Sequence, residues 1–95
     1  MNGDAVYRHA EGVLSRSFAD EVLLAAPRRD EVDQLSGPAA DVWVILDQPL
    51  RVDDIVERLR KLYGAPVERV RDDVQALLND LVERGWLEVV EEHED

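Results

Sequence analysis

Ser36-Gly37-Pro38-Ala39-Ala40-Asp41-Val42-Trp43-Val44-Ile45-Leu46 is the stretch in which the spacing of apolar residues changes from two to about 3.6. Ser36 and Pro38 suit the entry of a helix, because proline lacks only an N–H that the first turn leaves unpaired anyway. Ala39, Val42, Trp43 and Leu46 then fall at i, i+3, i+4 and i+7, which gives one apolar helical face that something must cover.

Upstream of this junction the chain reads as short strands separated by turn residues. Val13 to Phe18 places Leu14, Arg16 and Phe18 on one face. Ala19-Asp20 suits a tight turn, and Glu21 to Ala26 carries the run Val22-Leu23-Leu24, which Pro27 stops. A third strand is expected at Glu31 to Leu35. Downstream come two more helices. The second spans Val52 to Tyr63, with Ile55, Leu59, Leu62 and Tyr63 as its stripe and Gly64 as its stop. The third spans Val67 to Arg84, with Val67, Val70, Val74, Leu77, Leu78 and Leu81 on one side and Gly85 closing it. Trp86 to Val90 reads as an extended segment. The expected class is α+β: an N-terminal three-stranded antiparallel sheet followed by three helices, in the manner of a winged helix-turn-helix.

Size and composition narrow the function. A chain of 95 residues reads as a single domain over 1–95, with 1–12 and 91–95 expected to be flexible. It is 45% hydrophobic and 35% charged, too apolar for a disordered chain. No apolar run is long enough to span a bilayer, and Met1 to Asp4 lack the order of a secretory signal, so a cytoplasmic location is expected. With no cysteine, the chain has no disulfide framework, thiolate metal site or cysteine nucleophile. The net charge of −11 opposes nucleic acid and anionic membranes. The third helix carries the same opposition locally, since Arg69, Arg71, Gln75, Asn79 and Arg84 share its surface with Glu68, Asp72, Asp73, Asp80 and Glu83.

Catalysis finds no constellation. His9 and His93 read as surface residues near the two ends, and Ser15 and Ser17 lack a glycine-rich elbow. Asp53-Asp54 and Asp72-Asp73 read as first-turn acids that stabilise the positive ends of helices. Neither a catalytic residue, a metal site nor a cofactor is expected. The five glycines stand singly, as punctuation rather than as a phosphate loop.

What the pattern does offer is an open sheet edge. The third strand is short and guarded by Arg29, Asp30, Glu31 and Asp33, and on pattern alone it is either a peptide-docking edge or a plain structural one.

From about Leu14 to Val89, about four fifths of the chain, the sequence resembles the PqqD-like domains, also called RiPP recognition elements. The signals, in order, are Asp33-Gln34-Leu35-Ser36; Gly37-Pro38-Ala39-Ala40-Asp41-Val42-Trp43-Val44-Ile45-Leu46-Asp47; Val52-Asp53-Asp54-Ile55-Val56 with Leu59 and Tyr63; then Val70, Asp73-Val74, Leu77, Leu81 and Glu83-Arg84-Gly85-Trp86-Leu87. Two positions depart from the family's usual pattern: Gln48-Pro49 stands in place of a glycine, and Arg51 in place of a Thr or Ser cap worth about 1 kcal/mol. The resemblance implies that the leader segment of a ribosomally made precursor peptide adds antiparallel to the third strand and lies between it and the third helix. The implied peptide-binding residues are Glu31, Val32, Asp33, Gln34 and Leu35 with Val70, Val74, Leu77 and Leu78. A free-standing domain resembles the lasso-peptide type, which implies as partners the leader, a transglutaminase-like leader peptidase and the cyclase. Two other readings share the architecture: an acidic winged-helix subunit for protein assembly, and a peptide chaperone for a radical enzyme in PQQ biosynthesis.

Overall fold

Strand turns into helix at Gly37, whose φ of 61° redirects the chain before Pro38 takes the first helical position. The computed structural model describes residues 5–91. These form strands β1 (Ala5–His9), β2 (Leu14–Phe18), β3 (Glu21–Ala26) and β4 (Glu31–Ser36), helix α1 (Pro38–Ile45), strand β5 (Leu50–Arg51), helices α2 (Val52–Tyr63) and α3 (Val67–Glu83), and strand β6 (Leu87–Glu91). A short 3-10 turn, Pro27–Arg29, links β3 to β4. The α+β class and the three helices are as expected, with α2 starting and ending where its periodicity does.

The expected N-terminal sheet is the meander β2-β3-β4, antiparallel throughout, with Leu24 opposite both Ser15 and Asp33. It is not the only sheet. A second antiparallel sheet runs β5-β1-β6, with Tyr7 opposite Leu50 on one side and Val89 on the other. Residues 5–9, expected to lie in a flexible start, are therefore its central strand, while 1–4 and 92–95, including His93, lie outside the described residues. His9 is likewise more than a surface residue. Its ring stacks on the Trp43 indole at 3.7 Å between centroids and 5° between planes. Its Nε2–H donates to the Trp43 carbonyl at 3.0 Å.

One apolar core joins both sheets to the helices. The meander buries one face only: Val22, Leu24, Ala26 and Leu35 point inward, as the two-residue period of a half-covered sheet requires. Helix α1 buries Ala40, Val42 and Trp43, so it is covered on a wider face than its expected stripe. Helix α2 buries Ile55, Val56 and Leu59, and its last turn overshoots the core, leaving Leu62 and Tyr63 exposed.

Helix α3 ends in a Schellman motif, with the Gly85 N–H donating to the Val82 carbonyl and the Trp86 N–H to the Leu81 carbonyl, both at 3.0 Å. Gly85 sits at φ 86°, and a Cβ there would lie 2.1 Å from Arg29 Nη1. That guanidinium lies over the Trp86 ring at 4.9 Å. Gly85→Ala therefore combines left-handed strain with displacement of a stacked arginine, and an expected loss of about 1–3 kcal/mol is checked by urea unfolding.

Candidate functional site

Among the described residues the meander has two free edges, β2 and β4, which differ in what lies behind them. Every residue of β2 is exposed, including the inward-pointing Ser15 and Ser17, so the β2 edge stands clear of the helices. The β4 edge leads instead toward a groove of about 620 Å³. Its walls are Ser36, Pro38 and Ala39 at the β4–α1 junction, Leu59, Tyr63 and Ala65 around the end of α2, and Arg69, Val70, Asp73, Val74, Ala76 and Leu77 along α3.

The backbone of β4 is oriented by one hydrogen bond. The Gln34 N–H donates to the Asp33 Oδ1 at 2.8 Å rather than into the ladder with β3. By the two-residue period, the N–H and C=O groups of Val32 and Gln34 lie on the side of β4 away from β3. These are the groups that an added strand meets.

Asp33 also fixes where this edge sits. Its Oδ2 accepts from Arg84 Nη1 and from Trp86 Nε1, each at 3.0 Å, which fastens β4 to the end of α3. Arg84 reaches Asp80 as well, at 3.0 Å. Partial burial opposes ionisation of Asp33, but the Gln34 N–H, Arg84 and the Trp86 indole outweigh it and hold the carboxyl below its usual value. At the far end of the groove, the Tyr63 hydroxyl donates to Asp41 Oδ2. Burial and that carboxylate push the phenol up to about 12, so it remains a donor throughout the ordinary pH range.

The nine residues expected at the site fall into four groups. Val70, Val74 and Leu77 line the groove, with Val70 and Val74 forming a floor shared with the core. Val32, at 83% exposure, and Gln34 project from the face of the meander opposite the helices, beside Leu14, Arg16 and Leu23, and so do not line the groove. Gln34 there donates its amide to Glu21 Oε1. Leu35 and Leu78, at 3% and 0% exposure, are core residues behind the site. Asp33 is engaged with Arg84 and Trp86, and Glu31 with Arg29 Nε at 3.1 Å.

Tyr63, Arg69, Asp73 and Ala76 also line the groove, although none of them is among the residues expected at the site from the sequence. Arg69, Asp73 and Ala76 lie at i, i+4 and i+7, one stripe beside the apolar stripe of α3. A small residue within that stripe is the available signal of a concavity.

An open strand edge beside an apolar helical groove is the arrangement of domains that take up an extended peptide. The chain belongs to the PqqD family: the family described as coenzyme PQQ synthesis protein D matches residues 21–87. A solution structure of the PqqD truncation of Methylobacterium extorquens PqqCD is similar at 26% identity and a TM-score of 0.70, covering 87% of this chain and 88% of that one. That domain is described as a functional, stand-alone RiPP recognition element. TbiB1 in complex with the TbiA(beta) leader peptide shares the fold with a TM-score of 0.77 at 22% identity, over 93% of this chain and 99% of that one. No curated protein matches the chain. The fold is thus that of a PqqD-like RiPP recognition element.

Proposed function

We propose that this chain binds the leader segment of a ribosomally synthesised precursor peptide by antiparallel strand addition to β4. The observation that carries the reading is the outward-facing backbone of Val32 and Gln34, leading into the groove beside α3. The leader on TbiB1 and the recognition role of the Methylobacterium domain support it.

Direction follows from the geometry of β4. Asp33 near its start touches Arg84 at the end of α3, whereas Ser36 at its end lies with Arg69 and Val70 near the start of α3. An antiparallel leader therefore passes through the groove with its earlier residues and leaves beside Glu31 with its later ones. Backbone pairing is supplied by Val32 and Gln34, apolar contact by Val70, Val74 and Leu77, and support from behind by Leu35 and Leu78. The groove favours an apolar side chain on the leader, and the net charge of −11 favours a leader that is basic or neutral.

The function is then recruitment, not chemistry: the domain presents the bound leader to a separate leader peptidase in a lasso-peptide pathway, with the cyclase acting later, in the cytoplasm. No helix among the described residues is long and apolar enough to cross a membrane. The winged helix-turn-helix description belongs to the same proposal, with α2 and α3 as the helix pair and β6 following them.

The test is a fluorescence anisotropy titration of a labelled synthetic leader, taken from a precursor encoded beside this chain. The expected Kd is about 0.1–1 μM. Absence of binding up to about 100 μM would overturn the reading in favour of an assembly subunit that docks through α3.

A further inference from the structure

The carboxylate of Asp33 has two oxygens with different partners. Oδ2 accepts from Arg84 Nη1 and Trp86 Nε1 at 3.0 Å each, and so ties β4 to the segment that ends α3. Oδ1 accepts the backbone N–H of Gln34 at 2.8 Å. That N–H is one of the donors a strand added to β4 would use.

We propose that Asp33 is an edge cap: in the empty protein its Oδ1 covers the Gln34 N–H, and an arriving peptide carbonyl takes that place while the Oδ2 bonds hold β4 in position. This rests on the strand-addition reading and changes the role of Asp33 within it from a contact of the leader to a positioning residue that the leader displaces.

Three physical points support the cap. An uncovered edge donor is a template for pairing with any extended chain, and β4 lacks the proline or bulge that often blunts such an edge. A bond from N–H to a carboxylate is charge-assisted and stronger than one to a neutral carbonyl, so only a peptide that also fills the groove makes the exchange favourable. The carboxylate stays fixed during the exchange because Oδ2 keeps two donors, and Arg84 is itself steadied by Asp80 at 3.0 Å. The expected consequence is an edge closed to casual strand pairing and a leader that leaves readily.

Asp33→Asn separates the two oxygens. An amide has one acceptor oxygen, and with Arg84 and Trp86 both donating toward it, the NH2 group is left facing the Gln34 N–H, where it cannot accept. Asp33→Ala removes both acceptors. Amide hydrogen exchange read by NMR on the free protein needs no ligand. In both variants the Gln34 amide is expected to exchange at least about fivefold faster than in the wild type, with the Val32 amide unchanged and, in the Asn variant, the Trp86 indole N–H still protected. With the synthetic leader as probe, the Asn variant is expected to bind about two- to tenfold more tightly, because one competing hydrogen bond has gone.

Unchanged Gln34 exchange in the Ala variant would overturn the cap, whatever the leader does. Weaker leader binding by an Asn variant whose Trp86 indole stays protected would also overturn it, since Asp33 would then be assisting the leader. Faster Gln34 exchange in a protein whose wild type ignores the leader would leave the cap standing and remove the leader reading instead.

Discussion

Val32→Pro is expected to raise the Kd for the leader at least about tenfold, while Val32→Thr stays within about threefold of the wild type. Val32 is 83% exposed, so neither change removes packing. Proline replaces an N–H that faces away from β3 with a ring carbon, which leaves the ladder with β3 intact and is tolerated at an edge. What disappears is one donor for the incoming strand, and the ring occupies the place where that strand's backbone would lie. The threonine variant keeps the backbone while changing the side chain, so the pair distinguishes backbone pairing from a side-chain pocket. Circular dichroism confirms that both variants fold, and anisotropy titration supplies the two dissociation constants. Equal binding by the proline variant would mean that the leader does not add to β4.

Trp43→Ala is expected to cost about 3–5 kcal/mol, a large part of the roughly 5–15 kcal/mol by which a single domain is held folded. Trp43 is 2% exposed on α1, and it carries the His9 ring on its face and the His9 Nε2–H on its carbonyl. The truncation removes an indole from the core and also takes away the surface on which the end of β1 rests, so it weakens the attachment of the second sheet. Urea unfolding measures the loss. His9→Ala leaves the indole in place and tests the stacking contact alone, with an expected cost of about 0.5–1.5 kcal/mol.

The parts of this fold that are legible in the sequence are those set by neighbours along the chain. Gly37-Pro38 marks the change from strand to helix, Gly64 and Gly85 mark helix ends, and the stripes of α2 and α3 place Ile55, Leu59, Val70, Val74 and Leu78 in the core. The second sheet is not legible because its pairings span the chain. His9 meets Leu87 and Tyr7 meets Leu50, and β5 is only two residues long, too short for a period to show. Without those partners, Ala5-Val6-Tyr7-Arg8-His9 is too short and too near the start of the chain to read as more than a flexible terminus.

The candidate site is partly legible for the same reason. The β4 edge can be found from its guards and its position, and Val70, Val74 and Leu77 from their stripe. The face to which each β4 side chain turns depends on where the helices pack, which is why Val32 and Gln34 are expected in a groove that they in fact turn away from. Along the sequence Asp33 looks like an edge guard and a leader contact. Its actual partners, Arg84 and Trp86, lie more than fifty residues later, and only the folded chain brings them together.

Whether the leader lies as a fourth strand against β4 is tested most directly by intermolecular NOEs between the 15N-labelled protein and an unlabelled synthetic leader. The expected result is a set of contacts from the Val32 and Gln34 amides to leader backbone protons in antiparallel order, continuing to the side chains of Leu77 and Val74. Contacts that map to the β2 edge, or to the outer face formed by Leu14, Phe18 and Leu23, with none at Val32 or Gln34, would contradict it.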